Sequence, residues 1–554
     1  MKLKYCILFL LSFYIASASE TVKQYSKQDF VEFIEKSYSK NQKLDFREKF
    51  GNTLKNVDLS GIDMRGAIFK NMTLDGVNFS NAILANVSFI NSNISNVKFH
   101  NTILYNGQFL SSELNNIAII GADLSNSQII NSEVNNSIFL ASNLNNLVAQ
   151  NTNFTKLHFN KSDFLNAKIS SSKFIETNFF DIELSNSVFN NVEFLSSNIK
   201  NCDFSKSIFK NSKFNNSTIY NNDFTSTNHY KVEFAHVNLN NSDFSNSSLE
   251  ECLLQSVSLL NADLSYCGIY STLIYDVNFF QSSIQGSNIK NSQIKNSEIS
   301  YTFFPQANFN STEFINSHFQ KNNMNNISIQ NSFFKDSVLN NIVFEKSNIA
   351  NNIFLNSSMN NINFKDSNFD KSFFKVDLSD SRILRTSFSG STIYDSKLEK
   401  VYFKSANLFS VNVTNSNFNM MSSVLTNFTR AVFYNSSILN SGFYNNIFYD
   451  LKLINVDLKK SLFIENEFQD DIDISIKKSN GISGLKNIKD MLKQGYNDFQ
   501  GVNYSLMDLS YLDLSKADFS NSILKGVNFS HAKLDGANFK DADLEYAIFT
   551  EKQN

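Results

Sequence analysis

At 554 residues the chain is long enough for several globular domains or for one repeat array, and its formal net charge of -3 creates no basic field for nucleic acid. Its 56 Phe and 20 Tyr, beside one Pro and no Trp, supply ample core material in a background of Asn and Ser. Ala, Glu and Leu are too scarce for an ordinary helical protein, so internal repeats have to be sought first.

In chain order, Lys2 and Lys4 precede an apolar run from Tyr5 to Ile15, and Ala16-Ser17-Ala18 follows as a small-residue cleavage site. Residues 1–18 therefore read as a signal peptide. The apolar run is short for a bilayer and no later segment offers the ~20 apolar residues of a spanning helix. Export to the medium, periplasm or cell envelope is expected, with no transmembrane segment in the mature chain. In residues 19–50, Ser26-Lys27-Gln28-Asp29 starts a helix on which Phe30, Phe33, Ile34 and Tyr38 share a face, predicting an N-terminal cap.

From Leu54 an apolar residue recurs every fifth position through Leu59, Met64, Phe69 and Leu74 to Phe374, a run of 65 units. A second run of 19 units starts at Leu378, one residue early, and reaches Phe468; a third, of 11, goes from Phe499 to Phe549. The weak centres are Ala149, His229 and Ser423. Five residues advance an α-helix by ~500° and so make no stripe. On a continuous strand an odd step alternates faces. Each unit must hold a short extended piece and a turn, which describes a solenoid. Two before each centre the residue is small or β-branched, as in Val57, Ala67 and Val77. Two after it Asn, Gly or Ser dominates, as in Gly61, Asn71 and Asn81, residues suited to turns. The domains expected are the solenoid at 51–470 with a phase break near 375–378, a non-repeat helical insertion at 471–497, and further repeats at 498–551. In the insertion Ser483-Gly484 marks a helix start, Leu485, Ile488, Met491 and Leu492 share a face, and Gly495 is a stop.

Units such as ADLSN (122–126), ADLSY (262–266), VNFSN (77–81), VDLSG (57–61) and ADFSN (517–521) resemble the signature of the pentapeptide-repeat family. The resemblance implies an all-β fold, a right-handed quadrilateral parallel β-helix with four units per coil. It also brings one family activity into view, imitation of duplex DNA in binding DNA gyrase. Those members are short and acidic, and this chain departs from them in length, charge and leader.

The sequence offers no catalytic, cofactor-binding or metal-ligating residue as a candidate. With twenty residues per coil, only His158 and His318 among His100, His158, His229, His236, His318 and His531 share a column, eight coils apart. Cys202, Cys252 and Cys267 all fall two before a centre, in no common column, and read as small buried hydrophobes without a disulfide. Asp508, Asp513 and Asp518 point from successive faces, which prevents paired-carboxylate catalysis. The expectation is a non-catalytic exported scaffold or effector that binds protein partners through its outer faces, with no cofactor and no nucleic-acid partner. An envelope structural or adhesive element is the alternative, and a gyrase-directed DNA mimic comes third.

Overall fold

The computed structural model describes residues 25–468, 482–485 and 488–550; the expected signal peptide at 1–18 lies outside them, as does much of 471–497. The chain divides into two compact units, residues 1–158 and 159–554, with the division inside the run of repeats. Both are parallel β-solenoids with little helix.

In the first unit, helix α1 (Lys27–Ser39) opens with a capping box in which the Ser26 amide donates to Asp29 Oδ2 at 2.7 Å and the Asp29 amide donates to Ser26 Oγ at 3.3 Å. Phe30, Ile34 and Ser37 form its buried side, and Tyr38 instead stays 45% exposed, its hydroxyl donating to the Arg65 carbonyl at 2.8 Å. The short helix α2 (Phe46–Phe50) completes the lid: Phe30 stacks on Phe50 at 4.1 Å and Phe46 meets Phe69, the centre of an early repeat, at 4.5 Å. Aromatic rings thus cover an end that would expose apolar centres and unpaired strand edges. Behind the lid, three-residue strands pair in parallel at a step of one coil, as in Ile68–Lys70 with Ser88–Ile90, where Phe69 lies opposite Phe89.

The second unit follows the same rule. Phe174, Phe194, Phe214 and Phe234 stack at 5.0, 4.6 and 5.0 Å, nearly coplanar, and all four are buried. The slot two before each centre is filled by Ser or Thr more often than by Ala or Val, and these hydroxyls form an internal ladder. The Ser187 amide donates to Ser207 Oγ at 2.9 Å, and Ser207 Oγ donates to the Leu184 carbonyl at 3.0 Å. Burying a hydroxyl is tolerable only when it is paired in this way. Two after each centre the backbone turns left-handed, for instance at Asn186 (φ 57°) and Asn246 (φ 60°), a conformation that Asn accepts more readily than most residues. Pro305 lies before such a turn residue, Gln306 (φ 64°), and offers only its carbonyl, to the Gly286 amide at 2.9 Å.

The step from Phe374 to Leu378 is absorbed locally. The corner residue is missing, so Phe373–Ser379 runs as one strand against Ile353–Asn360, with a register shift between Leu355 and Ser357. The step shortens to 19 residues there, with Asn363 opposite Arg382, and the 20-residue step returns when Arg382 pairs with Tyr402. Val376 turns inward and, with Leu378 and Met359, lines an apolar void of about 30 Å³.

The insertion departs from its expected form. Ser483-Gly484 does not start a helix: Ile482–Leu485 is a strand, paired with Leu462–Ile464 as the next rung. An unpaired strand edge one coil upstream captures this segment, and backbone pairing prevails over a weak helix-start signal. Helix α3 (Ile488–Lys493) follows, and Gly495 takes φ 83° after it.

Residues 498–550 build their own coils, with Asp498 bridging Asp518 and Asp518 bridging Asn538. They do not continue the main ladder but lie against its flank. Tyr402, Val424, Leu462 and Ile464, outward positions of the main ladder, pack in one core with Tyr504 and Met507. Asn503 Nδ2 donates to the Met420 carbonyl at 2.7 Å, and Ser422 Oγ to the Ser505 carbonyl at 3.3 Å. Gly442 permits this approach, since a Cβ there would lie 2.7 Å from the Asn503 carbonyl oxygen.

Candidate functional site

His229 and the three cysteines face inward. His229 is fully buried, stacked on Phe209 at 4.9 Å, with Nε2 2.9 Å from Thr227 Oγ1 and Nδ1 unpaired. Burial pushes its pKa down to about 3, so the ring is neutral and fills a centre as a flat apolar side chain would. Ala149 and Ser423, the other weak centres, also point inward and are buried. Cys202, Cys252 and Cys267 are free and buried; burial raises all three thiols, Cys202 and Cys252 to about 12. A thiol so far from ionisation is a poor nucleophile and a poor metal ligand. Among the described residues no group of three or more His, Cys, Asp or Glu is arranged to hold a metal ion, and no helix is long and apolar enough to cross a membrane.

The remaining histidines do not converge. His318 Nδ1 lies 2.8 Å from Glu298 Oε1, its neighbour one coil back, and His531 stacks on Tyr511 at 4.8 Å. His236 is a left-handed turn residue (φ 54°), while His100 and His158 lie at outward strand positions in the first unit. Asp508, Asp513 and Asp518 each accept the amide two residues on, at 3.0, 3.2 and 2.9 Å, which fixes a turn.

Two surface features of the second unit were not singled out from the sequence. The first is a column of carboxylates, Asp163, Glu183, Asp203, Asp223, Asp243 and Asp263, each bridged to the next by parallel pairing. Reading outward positions at intervals of twenty would have found it. From Asp203 onward each Asp accepts the backbone amide two residues later, at 2.7 to 2.8 Å, so these acids have a structural task in their own turns.

The second is a cleft of about 830 Å³ where the C-terminal coils stand away from the main ladder. One side carries Asn363, Arg382 and Tyr402; the other carries Lys525, Asp543 and Glu545. Lys525 bridges Asp543 at 3.2 Å and Glu545 at 2.7 Å, and its hydrogen bond to Glu545 raises its pKa. The same bond, followed by a hydrogen bond with Tyr546 and, last, by the Arg382 charge, lowers that of Glu545. Burial lifts the Tyr402 phenol well above its usual range. Single-position patterning could not reveal the cleft, because it arises from the lateral placement of one solenoid on another.

The pentapeptide repeat region signature matches residues 62–139, and the signature of pentapeptide repeats in eight copies matches 177–216, 233–267 and 522–551. The chain belongs to the pentapeptide-repeat family. Proteins of this family are usually non-catalytic. Among solved structures it is similar to a trypsin-treated form of QnrB1, a plasmid-mediated fluoroquinolone resistance protein, at 18% identity over 32% of this chain and 82% of that one, with a TM-score of 0.25. It is also similar to HetL, involved in heterocyst differentiation regulation in the cyanobacterium Nostoc, at 13% identity over 49% and 94%, with a TM-score of 0.19. The alginate lyase AlyGC shares 10% identity over 80% and 99%, with a TM-score of 0.15. No curated protein matches the chain in sequence.

Proposed function

We propose that this pentapeptide-repeat protein is an exported, non-catalytic scaffold or effector that binds protein partners through the outer faces of its solenoid. The observation that carries the reading is the division of chemistry between inside and outside. His229 and the three cysteines are sealed in the core, while outward side chains are stacked one coil apart in register. Lys173 with Glu193, Lys213 with Glu233 and Lys231 with Glu251 pair in this way, as do Asn221 with Asn201 and Asn261 with Asn241. Such columns offer a partner a fixed array of charges and amides whose ordering entropy the fold has already met.

The Asn columns also favour an envelope structural or adhesive role against an ordered polar surface. The carboxylate column from Asp163 to Asp263 is the feature that favours a DNA-like surface, against a net charge of only -3. Fractionation of the native host into cytosol, envelope and medium, with N-terminal sequencing, tests the export on which the first two readings rest. Recovery outside the cytosol with a start near Ser19 supports them. A full-length cytosolic protein overturns export and returns an intracellular target to first place.

A further inference from the structure

The cleft beside the docked C-terminal coils has more hydrogen-bonding capacity than the described residues of the protein use. Its first wall is a single outward column, in which Asn363 pairs with Arg382 and Arg382 with Tyr402. At ~4.8 Å per rung these three side chains are spread over ~10 Å. Tyr402 is only 4% exposed, yet its hydroxyl is buried without a hydrogen-bond partner, and Asn363 Oδ1 is in the same state. Buried polar atoms are seldom left unpaired, and since neither atom is open to the cleft as it stands, a ligand completes them by drawing both side chains round to face it. The Arg382 side chain is exposed and makes no ion pair or hydrogen bond among the described residues, although its charge reaches Tyr402 and Glu545.

The chemistry of that ligand follows from what the walls can exchange. Asn363 Oδ1, Asp543 and Glu545 accept hydrogen bonds, Arg382 and Lys525 donate them, and the Tyr402 hydroxyl does both. Arg382, Lys400 and Lys525 face Asp380, Asp541, Asp543 and Glu545 around the cleft, so neither a polyanion nor a polycation meets a strong net field. A ligand whose groups donate and accept at once suits such a surface, and hydroxyls have that property. Tyr546, 73% exposed at the cleft, adds a flat ring on which the apolar face of a sugar can lie. The volume of about 830 Å³ falls within the usual range for ligand clefts. We propose that this cleft binds a short, uncharged oligosaccharide. The site is separate from the outer columns assigned to protein partners and does not depend on that assignment.

The test uses the full chain and four neutral probes, the pentaoses of cellulose, chitin, starch and xylan, with hexa-aspartate and hexa-lysine as charged comparators. Saturation-transfer NMR and titration calorimetry report binding, and circular dichroism confirms that each variant is folded. At least one neutral probe is expected to bind at submillimolar concentration. Arg382→Gln and Tyr546→Ala should each weaken that binding about tenfold, and Tyr402→Phe, which keeps the ring, a few-fold. Lys213→Gln, on an outer column, should leave it unchanged. Absence of binding by all four neutral probes at about 5 mM overturns the proposal. So does binding indifferent to the three cleft variants, or preference for a charged comparator, which would make the cleft a peptide-docking site.

Discussion

The main ladder of the second unit and the C-terminal coils obey the same five-residue rule, yet their cores are sealed to different degrees. In the main ladder Phe214 is fully buried between Phe194 and Phe234, whereas in the last coil of the C-terminal set Phe549 remains 50% exposed. The repeat therefore specifies which residue turns inward, but neighbouring coils decide whether that residue is shielded. The short C-terminal set gains cover along its side instead, from Tyr402, Val424, Leu462 and Ile464. Stability in a solenoid is a sum over such neighbour contacts, and lateral packing adds to it at the short end.

The sharpest way to break this contrast is truncation at matched positions. Phe214→Ala should cost ~3–5 kcal/mol by chemical denaturation, as expected for a large ring removed from a close-packed column, while Phe549→Ala should cost under ~1 kcal/mol. Equal costs would mean that the last coil is covered after all. Acid probes the sealed core next. His229 has a folded pKa of about 3 and an unfolded value near ~6.5, so the unfolded chain binds a proton that the folded chain refuses. Stability should fall as pH drops from ~6.5 towards ~3 and stay level above that window. Relative to His229→Phe, the wild type should lose up to ~3 kcal/mol between pH 7 and pH 4, read from urea midpoints at each pH. A constant gap would place the imidazole in contact with water.

Lateral docking can be loosened without touching either interior. Gly442→Val places side-chain atoms against the Asn503 carbonyl, an overpacking worth ~1–3 kcal/mol. Hydrogen exchange should accelerate across residues 498–550 and remain slow around 174–234; uniform acceleration would show that the two sets of coils unfold as one. The smallest effect is expected on the outside, where Lys213→Gln removes a partly exposed bridge to Glu233 and should change stability by less than ~1 kcal/mol.

Much of this architecture was legible because the five-residue rule is strict. The inward assignment of Phe69, the left-handed turns at Asn71 and Asn81, and the burial of His229 and the three cysteines follow from position within a unit, and the capping box at Ser26 from its own four residues. The same rule places Ser125 outward but does not show its partner: it donates to Asp123 Oδ1 at 2.7 Å and belongs to the turn. The strand at Ile482–Leu485 was hidden because its pairing partner lies one coil away and its own residues suggest a helix start. The cleft was hidden for a related reason. Tyr402, Val424 and Leu462 occupy outward positions that vary freely along the chain, and only their clustering on one face distinguishes them. The carboxylate column from Asp163 was accessible in principle, since outward positions twenty apart share a column.

The division between inside and outside rests on the closure of His229 and the three cysteines in the core. Thiol labelling of the native protein, resolved peptide by peptide by mass spectrometry along a denaturant series, tests it most directly. Cys202, Cys252 and Cys267 should stay unmodified under native conditions and become reactive together at the unfolding transition of their coils. Modification of any of the three in the native state, at the rate of an exposed thiol, would contradict it.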